Sequence, residues 1–288
     1  MVEGRKNARR LEFIEFQLTW RGRVGRSDLQ DQFSISPQQA TNDLSDYSDL
    51  APCNLRYDHT QRTYVRDERF SPKLSKGSPP EYLTQLELCA AGFRKREEIW
   101  PDPVPQFETM TTTVRPVARK TLQLMLAAIE TAGILEMRYV SLSSEVDEVR
   151  RIAPHALAND GHRWHARAYD LDKERHSDFV LSRLDALMVE EAAGELIPPD
   201  EAWRTTVKVE LRPEDGLSNR QRERLEIEYG MDKGRMELNV RKAMLFYYLR
   251  HYGFDPRPMR DGPMRNVSSF HLALVNIEEV ETHLERRS

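Results

Sequence analysis

The apolar positions of the first seventy residues fall into three helical stripes followed by two short alternating runs. Leu11, Ile14, Glu15 and Leu18 share one face, which predicts a helix ending near Trp20-Arg21-Gly22. A second helix is expected from Ser27 as N-cap, with Leu29 and Phe33 four apart. A third begins at Ser36, places Pro37 at its first position, and sets Ala40, Leu44 and Tyr47 on one side. Residues 54–57 and 63–65 then alternate as two short strands joined near Asp58-His59-Thr60. Three helices and a hairpin are the order of a winged helix-turn-helix.

Periodicity fades over residues 66–80, which gather Ser, Pro, Lys and Gly and read as a linker. Residues 81–91 look helical, and residues 101–116 form a proline-interrupted connection. Residues 117–132 form an amphipathic helix whose apolar surface is broad enough to pack on a neighbouring domain or a second subunit. From Ile134 the period changes to two. Leu135, Met137 and Tyr139 alternate with Glu136 and Arg138; Trp164, Ala166 and Ala168 alternate with His165, Arg167 and Tyr169. That alternation predicts a small sheet or barrel with Trp164 packed inside it beside the two alanines. Past Pro198-Pro199 the elements mix again: strands at 207–211, 236–240 and 270–274, and helices at 218–229, 241–252 and 277–286. The fold class is therefore multidomain α+β.

Composition narrows the class. A chain of 288 residues holds two or three domains. Two cysteines, Cys53 and Cys89, cannot build a disulfide framework or a four-sulfur zinc site, so a reducing, cytoplasmic setting is expected. No apolar run approaches a membrane span, and no secretory h-region follows the start. The net charge of −4 argues against indiscriminate nucleic-acid binding, but its distribution is uneven. Residues 1–26 hold seven basic residues against three acidic ones, whereas residues 134–196 hold eight against thirteen.

Two constellations carry candidate chemistry. With Ala40 and Leu44 facing the core, Gln38, Thr41, Asn42 and Ser45 lie on the outer face of the third helix and Gln39 at its side. Amides pair with adenine, hydroxyls with bases and phosphates, and a helix N-terminus favours phosphate. Asp43 falls near the buried edge and Asp46 to one side. Gln38, Gln39, Thr41 and Asn42 are thus the candidate base-reading set, with Ser36 at the helix start a further candidate DNA contact. Arg26 and, in the hairpin, His59, Gln61 and Arg62 are candidate backbone contacts. Arg5, Arg9, Arg10 and Arg23 are further phosphate candidates.

The second constellation is residues 151–184, where His155, His165, Arg167, Tyr169 and Arg183 can share a face suited to an anion. A polar face that simply meets solvent is the equal alternative. Zinc is not expected. His162 and His165 point to opposite faces of one strand, and no HExxH or cysteine cluster exists. Phosphate-loop, nucleophile-elbow and dinucleotide-binding motifs are also missing.

The block around Trp164-His165-Ala166, with ARAYD, DFVLSRL, and Tyr139-Val140-Ser141 ahead of Pro154-His155, resembles the WYL domain of bacterial WYL-domain transcriptional regulators. The tyrosine and leucine of the family's name motif are both replaced. ISPQQATNDL resembles the recognition-helix segment of the subgroup associated with BREX and CBASS phage-defence islands. The resemblance implies four parts. They are a winged helix-turn-helix over 1–70, linker and connecting helices over 71–132, a WYL ligand-sensing domain over 133–198, and a C-terminal dimerisation extension over 199–288. It implies an Sm/SH3-like small β-barrel whose pocket takes a nucleotide or single-stranded nucleic acid, with Tyr139, Ser141, His155, His165, Arg167 and Arg183 as pocket residues. It also implies a homodimeric repressor of a phage-defence operon on an inverted-repeat operator, with no cofactor, no catalysis and no membrane partner. Two alternatives stay open: a nucleic-acid-binding accessory protein that does not regulate, and a nucleotide-processing enzyme using His155 and His165 as acid and base.

Overall fold

The computed structural model describes residues 2–74, 77–110, 115–140, 147–190, 197–256 and 270–284, leaving aside the side chains of residues 2–6, 147 and 148. The chain divides into two compact units, Met1–Thr113 and Val114–Ser288.

The first unit opens with α1 (Val2–Trp20), β1 (Arg23–Val24), α2 (Arg26–Phe33), α3 (Pro37–Leu50), β2 (Leu55–Asp58) and β3 (Thr63–Arg66). Its core joins Phe13, Ile14 and Leu18 of α1 to Leu29 of α2 and to Ala40, Leu44 and Tyr47 of α3, so the three predicted stripes converge. The N-cap of α2 is Gly25 rather than the expected Ser27, because the Asp28 carboxylate reaches back to accept the Gly25 N–H. Ser34, in the left-handed region at φ 51°, closes α2, and two residues later Ser36 caps α3 by accepting the Gln39 N–H at 3.2 Å. The hairpin gains an unexpected third strand: β1, two residues long, pairs with β3 to give the antiparallel order β1-β3-β2.

Residues 71–74 do not drift from this unit. Ser71 exchanges hydrogen bonds with the Asn54 amide at 2.8 and 2.9 Å. The N–H groups of Lys73 and Leu74 donate to the Glu15 carboxylate at 2.7 and 2.8 Å. Glu15 shares the apolar stripe of α1, fully buried, because it also accepts the Tyr47 hydroxyl at 2.9 Å. Downstream, α4 (Pro79–Ala90) runs close to its expected bounds. The ring of its Tyr82 stacks parallel to Phe16 at 5.7 Å, and Trp100 meets Phe13 and Phe16 edge-on.

In the second unit α5 (Arg119–Thr131) lies on a five-stranded antiparallel sheet of order β7-β6-β5-β4-β8. These strands are β4 (Ile134–Val140), β5 (Asp147–Asn159), β6 (Trp164–Asp170), β7 (Arg175–Val180) and β8 (Leu184–Glu190). Met125 and Ala128 of α5 pack on Leu135, Met137, Ile152, Ala166, Ala168 and Phe179. Leu126, on the same helix, stays 48% exposed.

Trp164 does not pack inside this sheet as its alternation with Ala166 and Ala168 predicts; it is 53% exposed. It is the first residue of β6 and pairs with Asn159, the last of β5, beyond the end of the core. From His165 to Ala168, β6 is covered on both faces, and His165 and Arg167 are buried like the alanines beside them.

A smaller α+β module covers the polar face. It comprises α6 (Glu201–Arg204), β9 (Thr206–Pro213), α7 (Asn219–Glu228), β10 (Met236–Arg241), α8 (Leu245–His251), β11 (Leu272–Leu274) and α9 (Ile277–His283). Its sheet has β9 at the centre, β10-β9-β11. Val207, Val209, Leu211, Leu245, Leu249 and Val280 form its core together with Ala158 of β5. The helix expected over 241–252 begins as a 3-10 turn at Lys242–Met244 and becomes α-helical at Leu245.

Candidate functional site

The polar face of α3 is exposed and internally ordered. Ser36, Gln38, Thr41 and Asn42 all meet solvent, while Gln39 is half-buried. Gln38 donates from Nε2 to Asn42 Oδ1 at 3.1 Å, and the Thr41 hydroxyl donates to the Pro37 carbonyl at 3.0 Å. Asp43 is fully buried, and Asp46 is exposed. At the tip of the wing, Asp58 Oδ1 accepts the N–H groups of Thr60 and Gln61 at 2.8 and 2.9 Å. The Gln61 N–H first, and then that of Thr60, holds the Asp58 carboxyl below its ordinary range. This turn, closed by Arg62 at φ 53°, leaves His59, Gln61 and Arg62 exposed. Arg9, Arg23 and Arg26 are exposed as well; the Arg5 side chain lies outside the described residues. Arg10 does not join this exposed basic set, because its guanidinium grips Asp43 through Nε at 2.7 Å and Nη2 at 3.1 Å.

In the second unit a cavity of about 740 Å³ opens between the five-stranded sheet and α8. Of the sequence candidates, Tyr139, His165 and Arg183 line it. Ser141 lies outside the described residues. His155 and Arg167 sit elsewhere, for identifiable reasons. Pro154 pairs with Ala168 and Ala156 with Arg167, so His155 is the extra residue of a β-bulge. The bulge turns it toward Asp200, 3.1 Å from its Nε2 and beside the rings of His176 and Trp203. Arg167 is 4% exposed and donates to Asp200 from Nε at 2.7 Å and Nη2 at 3.3 Å, and to Asp178 from Nη1 at 3.1 Å. Burial alone would raise the Asp200 carboxyl. The Arg167 hydrogen bonds and charge, with the Trp203 N–H, hold it down to about 2. His155, His176 and Asp200 bring three potential metal ligands within 4.8 Å of one another, but the Arg167 guanidinium already serves Asp200 as its cation.

The charge balance of the cavity follows from these contacts. Asp178 is met by Arg167 and by the Tyr247 hydroxyl at 2.9 Å. Asp160 is met by Arg163 at 3.2 Å and by the N–H groups of His162 and Arg163. Among the described residues no carboxylate salt-bridges the three other lining arginines, Arg115, Arg183 and Arg250. The Arg250 guanidinium sits 5.9 Å from the Phe246 ring centre. An uncompensated cationic cavity with Tyr139, Phe246 and Tyr247 in its walls suits an anion that also carries a flat apolar part.

Four of the thirteen residues lining this cavity come from outside the strands and loops of the sheet, on α8. Phe246, Tyr247, Arg250 and His251 reach it from α8, and their i, i+4 spacing was the available signal.

The order of domains is that of a winged-helix transcriptional regulator with a WYL domain, and family models match it in three parts. Residues 6–88 match the BrxR transcriptional regulator winged helix-turn-helix domain, residues 120–189 the WYL domain, and residues 206–280 the BrxR transcriptional regulator C-terminal dimerization domain. The DNA-binding transcriptional repressor CapW of Stenotrophomonas maltophilia is 36% identical over 274 residues, 95% of this chain and 90% of that protein. CapW of Pseudomonas aeruginosa is 33% identical over 291 residues, 97% and 94% of the two chains, and CapW of Escherichia coli 33% over 296 residues, 99% and 95%. The chain belongs to this CapW family.

Proposed function

We propose that the chain is a homodimeric repressor of a phage-defence operon. It binds an inverted-repeat operator through α3 and the wing, and an anionic ligand in the second unit modulates that binding. The observation that carries the DNA reading is the exposed face of Gln38, Thr41 and Asn42 beside a wing tipped by Arg62. Ser36 and the first turn of α3 would meet a phosphate, Gln38, Gln39, Thr41 and Asn42 the base edges, and Arg26, His59, Gln61 and Arg62 the backbone. The CapW relatives and the dimerization-domain match support repression and the two-fold arrangement.

The ligand reading rests on Arg115, Arg183 and Arg250 with the aromatic walls, which fit a nucleotide or a single-stranded oligonucleotide. The order β7-β6-β5-β4-β8, with the 3-10 turn Leu181–Arg183 joining its two edge strands, supports reading this sheet as the Sm/SH3-like barrel. A ligand modulates DNA affinity only by binding one arrangement of the protein better than another. A cavity walled by both the sheet and α8 gives it the means.

The test is a binding titration of the full chain against the DNA upstream of its own gene, with a scrambled duplex as control. Preference for the native duplex by about 10³-fold or more is expected. Equal binding to both would replace this reading with that of a non-regulatory accessory protein. The logarithm of affinity should fall linearly with that of salt, and Arg26→Gln and Arg62→Gln should each lower the slope by roughly 1.8, about 0.9 for each of the dimer's two copies of the residue. In the second unit, Arg183→Gln combined with Arg250→Gln should abolish the response to nucleotides and oligonucleotides and leave operator affinity in place. Loss of operator binding in that variant would assign the two arginines a structural role.

A further inference from the structure

We infer that the ion pair of Arg10 and Asp43 is a positioning device that holds Gln39 as an adenine reader; the inference rests on the operator-binding reading above. Asp43 follows Gln39 by one helical turn, and α3 buries it completely. Arg10 of α1 meets it with two nitrogens, Nε on Oδ2 at 2.7 Å and Nη2 on Oδ1 at 3.1 Å. Gln39 Nε2 donates to the same Oδ1 at 2.9 Å.

The chemistry of that contact removes a freedom that an amide normally has. The nitrogen and oxygen of a glutamine amide are close in shape, and either can face a neighbour that both donates and accepts. An ionised carboxylate only accepts, so the Asp43 oxygen admits the nitrogen of Gln39 and rejects the oxygen. One N–H is thereby committed. The second N–H and Oε1 remain, one donor beside one acceptor. Adenine offers the matching edge, with N7 accepting and the N6 amino group donating. Guanine offers two acceptors there, cytosine one donor, and thymine one acceptor and a methyl group.

The neighbouring glutamine has no such anchor. Gln38 bonds to Asn42 through two neutral, exposed amides, and turning both over restores the bond. Gln38 is therefore adaptable where Gln39 is fixed. Stability alone gives the ion pair little reason to exist, since apolar residues often replace a buried pair without loss. Orientation of a base-reading amide is something apolar residues cannot supply.

The test is selection of duplexes from a randomised pool by the full chain and by variants, with affinities measured for all four bases at each selected position. The wild-type chain should demand adenine at one position of each half-site. Gln39→Ala should reduce that preference by roughly 5- to 150-fold, the discrimination that a bidentate base contact provides. Asp43→Asn presents both a donor and an acceptor, so Gln39 can turn over. The adenine preference should fall to within a few-fold of the other bases while the remaining positions hold. Because Asp43→Asn leaves Arg10 buried without its counter-charge, the double variant Arg10→Met with Asp43→Leu is measured beside it, with melting curves showing which variants are folded. The double variant should show the same loss at the same position. Adenine preference that survives in the folded variants, or a uniform loss over all sequences, would overturn the inference and leave the operator reading intact. A wild-type chain that selects no sequence would overturn both.

Discussion

Asp200→Asn should lower the stability of the second unit by about 3 kcal/mol, near the lower end of what removing one partner from a buried ion pair costs. Asp200 and Arg167 are 5% and 4% exposed, and Asp200 takes two of the guanidinium's contacts as well as the Trp203 N–H. The asparagine leaves Arg167 with Asp178 alone, so the loss stays below that of a fully orphaned charge. A pH signature separates this pair from ordinary packing. The Asp200 carboxyl is held down from 3.8 to about 2, so its contribution is complete above about pH 5 and fades as the pH falls toward 2. That contribution is on the order of 2 kcal/mol. Wild type should therefore lose more stability than Asp200→Asn over this range in denaturant titrations, with hydrogen exchange of the β6 amides reporting the second unit. Parallel pH profiles for the two proteins would show that the pair does not hold the polar face of β6 to α6.

Glu15→Ala should cost the first unit about 3 to 4 kcal/mol. The carboxylate accepts the buried Tyr47 hydroxyl and the half-buried backbone N–H groups of Lys73 and Leu74, and alanine leaves all three donors without that acceptor. Hydrogen bonds to a charged group are worth about 1.5 to 3 kcal/mol each, and partial access of water to the strand-following loop reduces the sum. Burial, and then the nearby Glu15 charge, push the Tyr47 hydroxyl well above its ordinary range, so it stays a donor. Glu15→Gln keeps one acceptor oxygen and should recover part of the loss. Operator binding should fail at the lower melting temperature of the first unit rather than weaken at 25 °C. A melting curve unchanged in Glu15→Ala would mean that residues 71–74 are not fastened to α1.

The sequence carries the repeating elements well, because helical and strand periods register directly in side-chain order. Ala40, Leu44 and Tyr47 are buried together as expected, and the alternation from Leu135 onward does form strands. What the period could not carry is what covers each face. His165 and Arg167 alternate with alanines, a pattern equally suited to solvent, and only the folded chain brings Asp200 and Tyr247 over them. The bulge at His155 is likewise silent in the sequence, although it decides which way that ring points. Alternation with Ala166 and Ala168 specifies a side of the sheet for Trp164 and not how far the core extends along it, so its exposure is silent in the sequence. On α3 the exposed amides are legible from spacing alone, whereas the commitment of Arg10 to Asp43 joins residues 33 positions apart.

The cavity between the sheet and α8 also allows the proposed ligand binding to be tested before any operator is known. A molecule touching Arg183 on one side and Arg250 on the other cross-braces two parts of the second unit. Whatever binds the folded state alone raises the melting temperature by mass action, by about 2.7 kcal/mol at a hundred times its dissociation constant. Thermal-shift screening of nucleotides and short oligonucleotides against the full chain thus becomes an assay without DNA, in which the Arg183→Gln, Arg250→Gln protein marks the false positives.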